Sequence, residues 1–343
     1  MNRFSWSVLL LALMTCSQPS TASIAPLSGS RQEPEPIIDM HLHAVPAGSQ
    51  GPPPQIMCAP FDYLPARDTR LTWPEVFAGL AADPPCADPL VSPATDDEIM
   101  RRSLEILERR NIIGVTGGPL ALVERWKEAA PDRIIGGMSF AVSPDAPTPE
   151  EIRELFEAGR LQVLAEVTNQ YLGIEPDDAR FEPYLAMAEE IDMPVGIHIG
   201  TGPPGAPYLP GFGNYRARMH SPLSLEEPLM RHPDLRVYVM HAGWPMLDDM
   251  LALMWAHPQV YVEVGVIVYA LPRAEFYRYL RTLVEAGFGN RVMFGSDQMV
   301  WPEAIERAIE SIESADFLSP AQKRDILYNN AARFLRLEEG GSR

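Results

Sequence analysis

Eight short runs rich in branched apolar residues recur along the chain, each followed by a segment with helical periodicity. No other feature constrains the fold as much. The runs are "PIIDMHLH" (36–43), "NIIGVTGG" (111–118), "RIIGGMSF" (133–140), "LQVLAEV" (161–167), "MPVGIHIG" (193–200), "LRVYVMHAG" (235–243), "VYVEVGVI" (260–267) and "RVMFGSDQ" (291–298). Helical patterns cover 96–110, 121–130, 149–158, 180–191, 223–231, 245–256, 273–286 and 301–314. A last helix starts at Ser319 with Pro320 in its first turn, as a capped helix should. Strands alternating with helices imply a parallel sheet with crossover helices, and eight such units close a barrel. An open doubly wound sheet would show a glycine fingerprint after its first strand. Here the first run ends in "DMHLH" with no such loop. The expectation is a (β/α)8 TIM barrel over 36–337, with a long proline-rich insertion at 44–95 after the first strand.

Composition narrows the partners. With 46% hydrophobic residues in 343, there is enough apolar material for a sizeable core. A formal net charge of -18 argues against a phosphate backbone as partner, so no nucleic acid is expected, and against anionic membrane surfaces. Lys127 and Lys323 are the two lysines of the whole sequence; arginine carries the rest of the positive charge.

The N-terminus reads as an export signal spanning 1–22, followed by a linker at 23–35. Its apolar segment, Val8 to Met14, is too short to span a bilayer, so no transmembrane span is expected in the mature chain. "STA" before Ser23 resembles an ordinary cleavage site, whereas "LMTC" resembles a lipoprotein signal that would leave a lipid anchor on Cys16. Either ending places the mature protein outside the cytoplasm, in a periplasm or beyond. Cys58 and Cys86 then form an even pair and a disulfide candidate.

Residues two apart on a strand point to one side, so Asp39, His41 and His43 are expected to share a face. A lone HxH is weak support for a metal. The other strand ends add weight: Glu166 on the fourth, His198 on the fifth, His241 on the sixth and Asp297 on the eighth. A barrel gathers its C-terminal strand ends around one point. Imidazole and carboxylate are the donors of a catalytic zinc-type site, which keeps one position for water. His232 and His257 precede prolines at helix ends and read as structural; His220, in the long segment 201–222, reads equally as pocket lining or surface. Arg216 and Arg218 are candidates for clamping a substrate carboxylate, and Trp244, Tyr171 and Gln170 for walling the pocket.

Together, "DMHLH", "GIHIG", "RHPDLRVYVMHAGWP", "MFGSDQ" and "NNAARFL" resemble the metal-dependent amidohydrolase superfamily, in the branch called amidohydrolase family 2. That branch includes aminocarboxymuconate-semialdehyde decarboxylase with related decarboxylases and hydrolases. The resemblance implies a (β/α)8 barrel with His41, His43, His198 and Asp297 on a divalent metal and His241 beside it as a catalytic group. Zinc is the first expectation, with manganese or iron as alternatives, and one ion is favoured over two. Binuclear relatives often bridge their metals with a lysine on strand four. Neither lysine here is placed for that, so Glu166 is the candidate bridge. The functional expectation is a metal-dependent hydrolase attacking a C–N or C–O bond of a small molecule, with Asp297 shuttling the proton and His241 supporting the transition state. The alternatives are a metal-dependent decarboxylase on the same scaffold and a non-catalytic exported metal-binding protein. A homodimer is compatible with all three.

Overall fold

The computed structural model describes residues 34–337 apart from Pro65 and Thr201. The export signal, Cys16 and all but the last two residues of the linker lie outside the described residues.

Eight parallel strands run in chain order around a barrel: β1 (Ile37–His43), β2 (Ile112–Gly117), β3 (Ile134–Phe140), β4 (Val163–Val167), β5 (Val195–His198), β6 (Val237–Met240), β7 (Tyr261–Glu263) and β8 (Val292–Met293). Consecutive strands pair in parallel, as in the continuous register from Val195↔Val237 to His198↔Met240. The ring closes between the segment after β8 and β1. Met40 N–H donates to the Phe294 carbonyl at 2.9 Å, and Asp297 N–H donates to the His41 carbonyl at 2.7 Å. Side chains reinforce this seam. Asp39 Oδ1 accepts from the backbone N–H of Ser296 and of His41, each at 2.9 Å. Gln298 accepts from His43 N–H at 3.0 Å and donates to the His43 carbonyl at 2.7 Å.

Helices pack outside the strands, beginning with α1 (Asp96–Arg109), α2 (Leu120–Ala129), α3 (Pro149–Glu157) and α4 (Glu182–Glu190). They continue with α5 (Glu226–Arg231), α6 (Leu247–Ala256), α7 (Arg273–Leu283) and α8 (Ala304–Glu313). Local chemistry explains several starts. The Thr95 side chain accepts from Glu98 N–H to cap α1, and α3 opens with Pro149 behind a Thr148–Glu151 capping box. The barrel floor is apolar: Ile38, Met40, Val115, Val163, Tyr238, Met240 and Met293 fill the interior, closed below by Phe334 of the last helix. With the floor packed solid, polar chemistry is left to the opposite end.

One expectation about β1 is corrected. Three steps along β1, Asp39 to Leu42, match two along β2, Gly114 to Thr116. This bulge slips the two-residue alternation by one. Asp39 therefore lies on the side of Leu42, which packs in the outer apolar layer, while His43 faces the interior. Asp39 is a seam residue and does not share the face of His43.

The insertion between β1 and α1 carries an antiparallel ribbon (Ile56–Met57 with Leu90–Val91), the helix Trp73–Ala82 and a disulfide joining Cys58 to Cys86. It is tied down at several points. Trp301 Nε1–H donates to the Gln55 carbonyl at 3.0 Å, Phe61 N–H to the Ala270 carbonyl at 2.9 Å, and Trp73 Nε1–H to the Pro204 carbonyl at 2.6 Å. The insertion thus spans from the end of β8 to the long segment that follows β5.

Candidate metal centre

At the C-terminal mouth of the barrel, the rings of His41 and His43 converge until their Nε2 atoms are 2.9 Å apart. Asp297 Oδ1 lies 2.9 Å from His43 Nε2 and 3.7 Å from His41 Nε2. His41 Nδ1–H donates to Glu263 Oε1 at 3.1 Å, because a carboxylate only accepts. In the neutral ring that ligation requires, the His41 Nε2 lone pair therefore faces His43 and Asp297. Two imidazole donors on one ion, each about 2.0–2.1 Å from it, sit about 3 Å apart, so this pair fits a cation. A carboxylate behind a ligating histidine is the usual device for fixing tautomer and ring orientation.

A second group adjoins the first. Glu166, from β4, has Oε1 2.5 Å from His198 Nδ1 and 3.4 Å from His241 Nε2, while its Oε2 is 4.0 Å from His43 Nε2. His241 Nε2 and His198 Nδ1 are 2.9 Å apart. His241 Nδ1–H donates to the Gly265 carbonyl at 2.9 Å, which again leaves Nε2 as the free donor atom. Tyr171 Oη lies 3.0 Å from His198 Nε2 and holds that ring from the far side.

Neither His241 nor Asp297 sits within its strand. His241 follows β6 in a tight turn with φ of 58°, and Asp297 stands four residues beyond Met293, the last residue of β8, with φ of 52°. Non-glycine residues in the left-handed region cost of order 1–3 kcal/mol each and collect at functional sites. Here leaving the ladder turns both side chains toward the barrel axis.

The electrostatics match the donor set. Glu166, Glu263 and Asp297 are largely or wholly buried, and among the described residues their ion-pair partners are all histidines. Burial opposes the charged form of Glu166, yet the pull of His198 and hydrogen bonds from His198 and His241 hold its carboxyl well below the usual range. Burial likewise works to lower His41, but Asp297 and Glu263 overcome it and raise its pKa to about 10. Three buried carboxylates against four imidazoles make a cluster that favours positive charge in its midst.

Glu263 escapes a reading of the sequence, since it is one acid inside the apolar run "VYVEVGVI". The signal was there: a charge in a buried strand has to be paired. Its carboxylate is cradled by two glycines. A Cβ on Gly265 would lie 2.7 Å, and one on Gly295 2.1 Å, from Glu263 Oε2. Glu263 also accepts from His241 N–H at 2.9 Å, so one carboxylate braces both imidazole groups. Glu263→Gln is expected to weaken metal affinity by about 10–100-fold. Competition with a chromophoric chelator measures this, and an unchanged affinity would remove Glu263 from the centre.

The other expected site residues divide. Tyr171 reaches the centre, but its hydroxyl is engaged with His198. Trp244 is half-buried and donates its indole N–H to Glu275 at 3.1 Å, on α7. Arg216 and Arg218 are exposed, and Arg216 binds the carbonyls of Gly213 and Tyr215 in its own segment. Neither arginine pairs with a site carboxylate among the described residues. His232 is held between Glu182 and Glu189, each at 2.9 Å, a structural role. His220 is fully buried, which excludes a surface role.

A family profile described as amidohydrolase matches residues 38–337. A comparison with curated protein sequences gives no match. Among solved structures, an uncharacterised TIM-barrel protein from Bordetella bronchiseptica is similar at 19% identity and TM-score 0.57, covering 88% of this chain and 99% of that one. A probable 2-pyrone-4,6-dicarboxylic acid hydrolase from Acinetobacter baumannii shares 16% identity at TM-score 0.54, covering 88% and 100%. A 5-carboxyvanillate decarboxylase from Novosphingobium aromaticivorans, complexed with manganese, shares 14% identity at TM-score 0.55, covering 89% and 97%. At these identities the likeness speaks for the fold alone. The profile match covers nearly all of the described barrel, from β1 to the last helix, and on that match the chain belongs to the amidohydrolase family.

Proposed function

We propose that the protein is an exported metal-dependent hydrolase that splits a C–N or C–O bond of a small molecule with water. The observation that carries this reading is the convergence of four imidazoles and two carboxylates, from His41, His43, His198, His241, Glu166 and Asp297, at the mouth of the barrel. A divalent cation held there supplies Lewis-acid chemistry, polarising a carbonyl oxygen and acidifying water. Zinc suits this His/carboxylate set, and manganese or iron would be accepted by the same donors. Asp297 is the group to take the proton of the attacking water and return it to the leaving nitrogen or oxygen. Glu263 and Tyr171 hold the rings of His41 and His198 in place.

His241 has two readings. As a free group beside the reacting carbon it would stabilise developing charge. Its Nε2, however, is turned toward Glu166 and His198, which supports a ligand role. With the two oxygens of Glu166 facing different histidines, that posture favours a second cation position held by Glu166, His198 and His241, in place of the single ion expected from sequence.

The decarboxylase reading draws on structural relatives with that activity. Against it stands the lining of the mouth. No arginine or lysine pairs with Glu166, Glu263 or Asp297 among the described residues, and the clustered acids would repel a substrate carboxylate that the cation did not hold. The non-catalytic reading would fit a centre that had lost a donor, and none is missing. Export is supported by the Cys58–Cys86 disulfide. Product analysis in heavy-oxygen water tests the function. One labelled oxygen in the product is the expected result, and released carbon dioxide with no label would replace hydrolysis by decarboxylation.

A further inference from the structure

Among the residues of the eight barrel strands, Ser139 alone is exposed; every other is buried or half-buried. It stands next to last in β3. Ile134, Met138 and Phe140 pack in the outer apolar layer, whereas Ile135 packs against the residues that fill the barrel interior. The irregularity between β3 and β4 lies in β4, where Leu164 to Val167 takes three steps against two from Met138 to Phe140. β3 therefore keeps its two-residue alternation, and Gly137 and Ser139 share the inward side of Ile135. Solvent reaches Ser139 from within the mouth, above the packed floor.

Its neighbours place Ser139 beside the metal centre. A Cβ on Gly117, the last residue of β2, would lie 3.3 Å from Ser139 Oγ and 2.5 Å from the Ala165 carbonyl oxygen. Ser139 and Ala165 thus meet over one glycine, and that glycine is the register partner of His43. Glu166, the residue after Ala165, faces His198, His241 and His43 with its two oxygens. Ser139 adjoins the centre on this Glu166 side. The connections explain its exposure. The insertion and the segment 201–222 follow β1 and β5, whereas two residues, Gly118 and Pro119, join β2 to α2, and eight, 141–148, join β3 to α3. The mouth is left open over β2 and β3.

We propose that the substrate enters over β2 and β3 and that Ser139 binds it, through a hydrogen bond to an uncharged polar group of the substrate on the Glu166 side of the centre. A serine hydroxyl both donates and accepts, which suits a hydroxyl, carbonyl or amide. The rim sets the class of molecule. In the two connections Asp145 is the one charged residue, among glycine, proline, alanine, valine, serine and threonine. An uncharged, partly apolar body is what such a rim accepts. The proposal deepens the hydrolase reading and rests on it for the bond that is broken, while the binding role is read without turnover.

The test measures equilibrium binding and metal content on the metal-loaded full chain. The probes are benzohydroxamate and 4-hydroxybenzohydroxamate, which chelate a divalent cation through their oxygens and project a ring away from it. Because Ser139 is exposed, its substitution disturbs little packing. Ser139→Phe fills the opening and is expected to weaken both probes by about tenfold or more. Ser139→Ala removes the hydroxyl alone. It is expected to weaken 4-hydroxybenzohydroxamate by about three- to tenfold while leaving benzohydroxamate nearly unchanged. Metal content should be the same in all three proteins. These results, with no labelled product in heavy-oxygen water, would uphold the binding role and sink the hydrolase reading. Four results would overturn the proposal: no binding of either probe by the unaltered chain at about 10 mM, binding unchanged in Ser139→Phe, losses that track lost metal, or Ser139→Ala treating the two probes alike.

Discussion

Asp297→Asn is expected to cut turnover by about 10²–10⁴-fold, the range a positioned general base contributes. The substitution keeps an oxygen where Asp297 Oδ1 now lies, 2.9 Å from His43 Nε2, so the side chain can still serve as a weak donor. What it removes is the ability to accept a proton. Metal content and kcat should therefore be measured on the same preparation. Turnover near that of the unaltered chain, with metal retained, would exclude Asp297 as the proton shuttle. A fall in turnover that merely matches a fall in metal would make Asp297 a ligand alone.

His43→Ala is the second large effect. A structural zinc ion bound by four donors is held by about 10–16 kcal/mol, or about 2.5–4 kcal/mol per donor. Losing one imidazole should weaken affinity by about 10²–10³-fold. The remaining donors around it, His41, Asp297 and Glu166, already belong to the centre, so none replaces the lost imidazole. Elemental analysis of protein purified without chelator reads the result directly. An alanine variant that keeps full stoichiometric metal would show that the first imidazole pair is not the binding site.

Periodicity explains what could be read from the sequence. Apolar runs separated by helical segments report the pleat of a strand and the turn of a helix, and eight of them in order leave few architectures. The histidines were visible because they stand at the ends of such runs. What escaped depends on departures from period. A single bulge between Asp39 and Leu42 moved Asp39 to the opposite side of β1, and no run of letters announces a bulge. Glu263 was hidden by its apolar neighbours. Asp297 was legible as the acid ending "MFGSD", although it stands beyond β8, where the chain has already left the ladder. Arg216, Arg218 and His220 lie in an aperiodic segment, so which of them is buried follows from tertiary contacts such as the Trp73–Pro204 hydrogen bond, which no spacing of letters announces.

The seam of the barrel has a consequence of its own. The two chain segments that close the ring, 39–43 and 294–298, also carry His41, His43 and Asp297. Bonds that complete the cylinder and donors that capture the cation thus belong to the same few residues. Any ligand that binds only the closed form stabilises closure by mass action. Occupancy and closure are then one equilibrium seen from two sides: the cation acts as a clasp on the last gap in the ring. Its scarcity would be felt as a loosened hoop and as missing chemistry together.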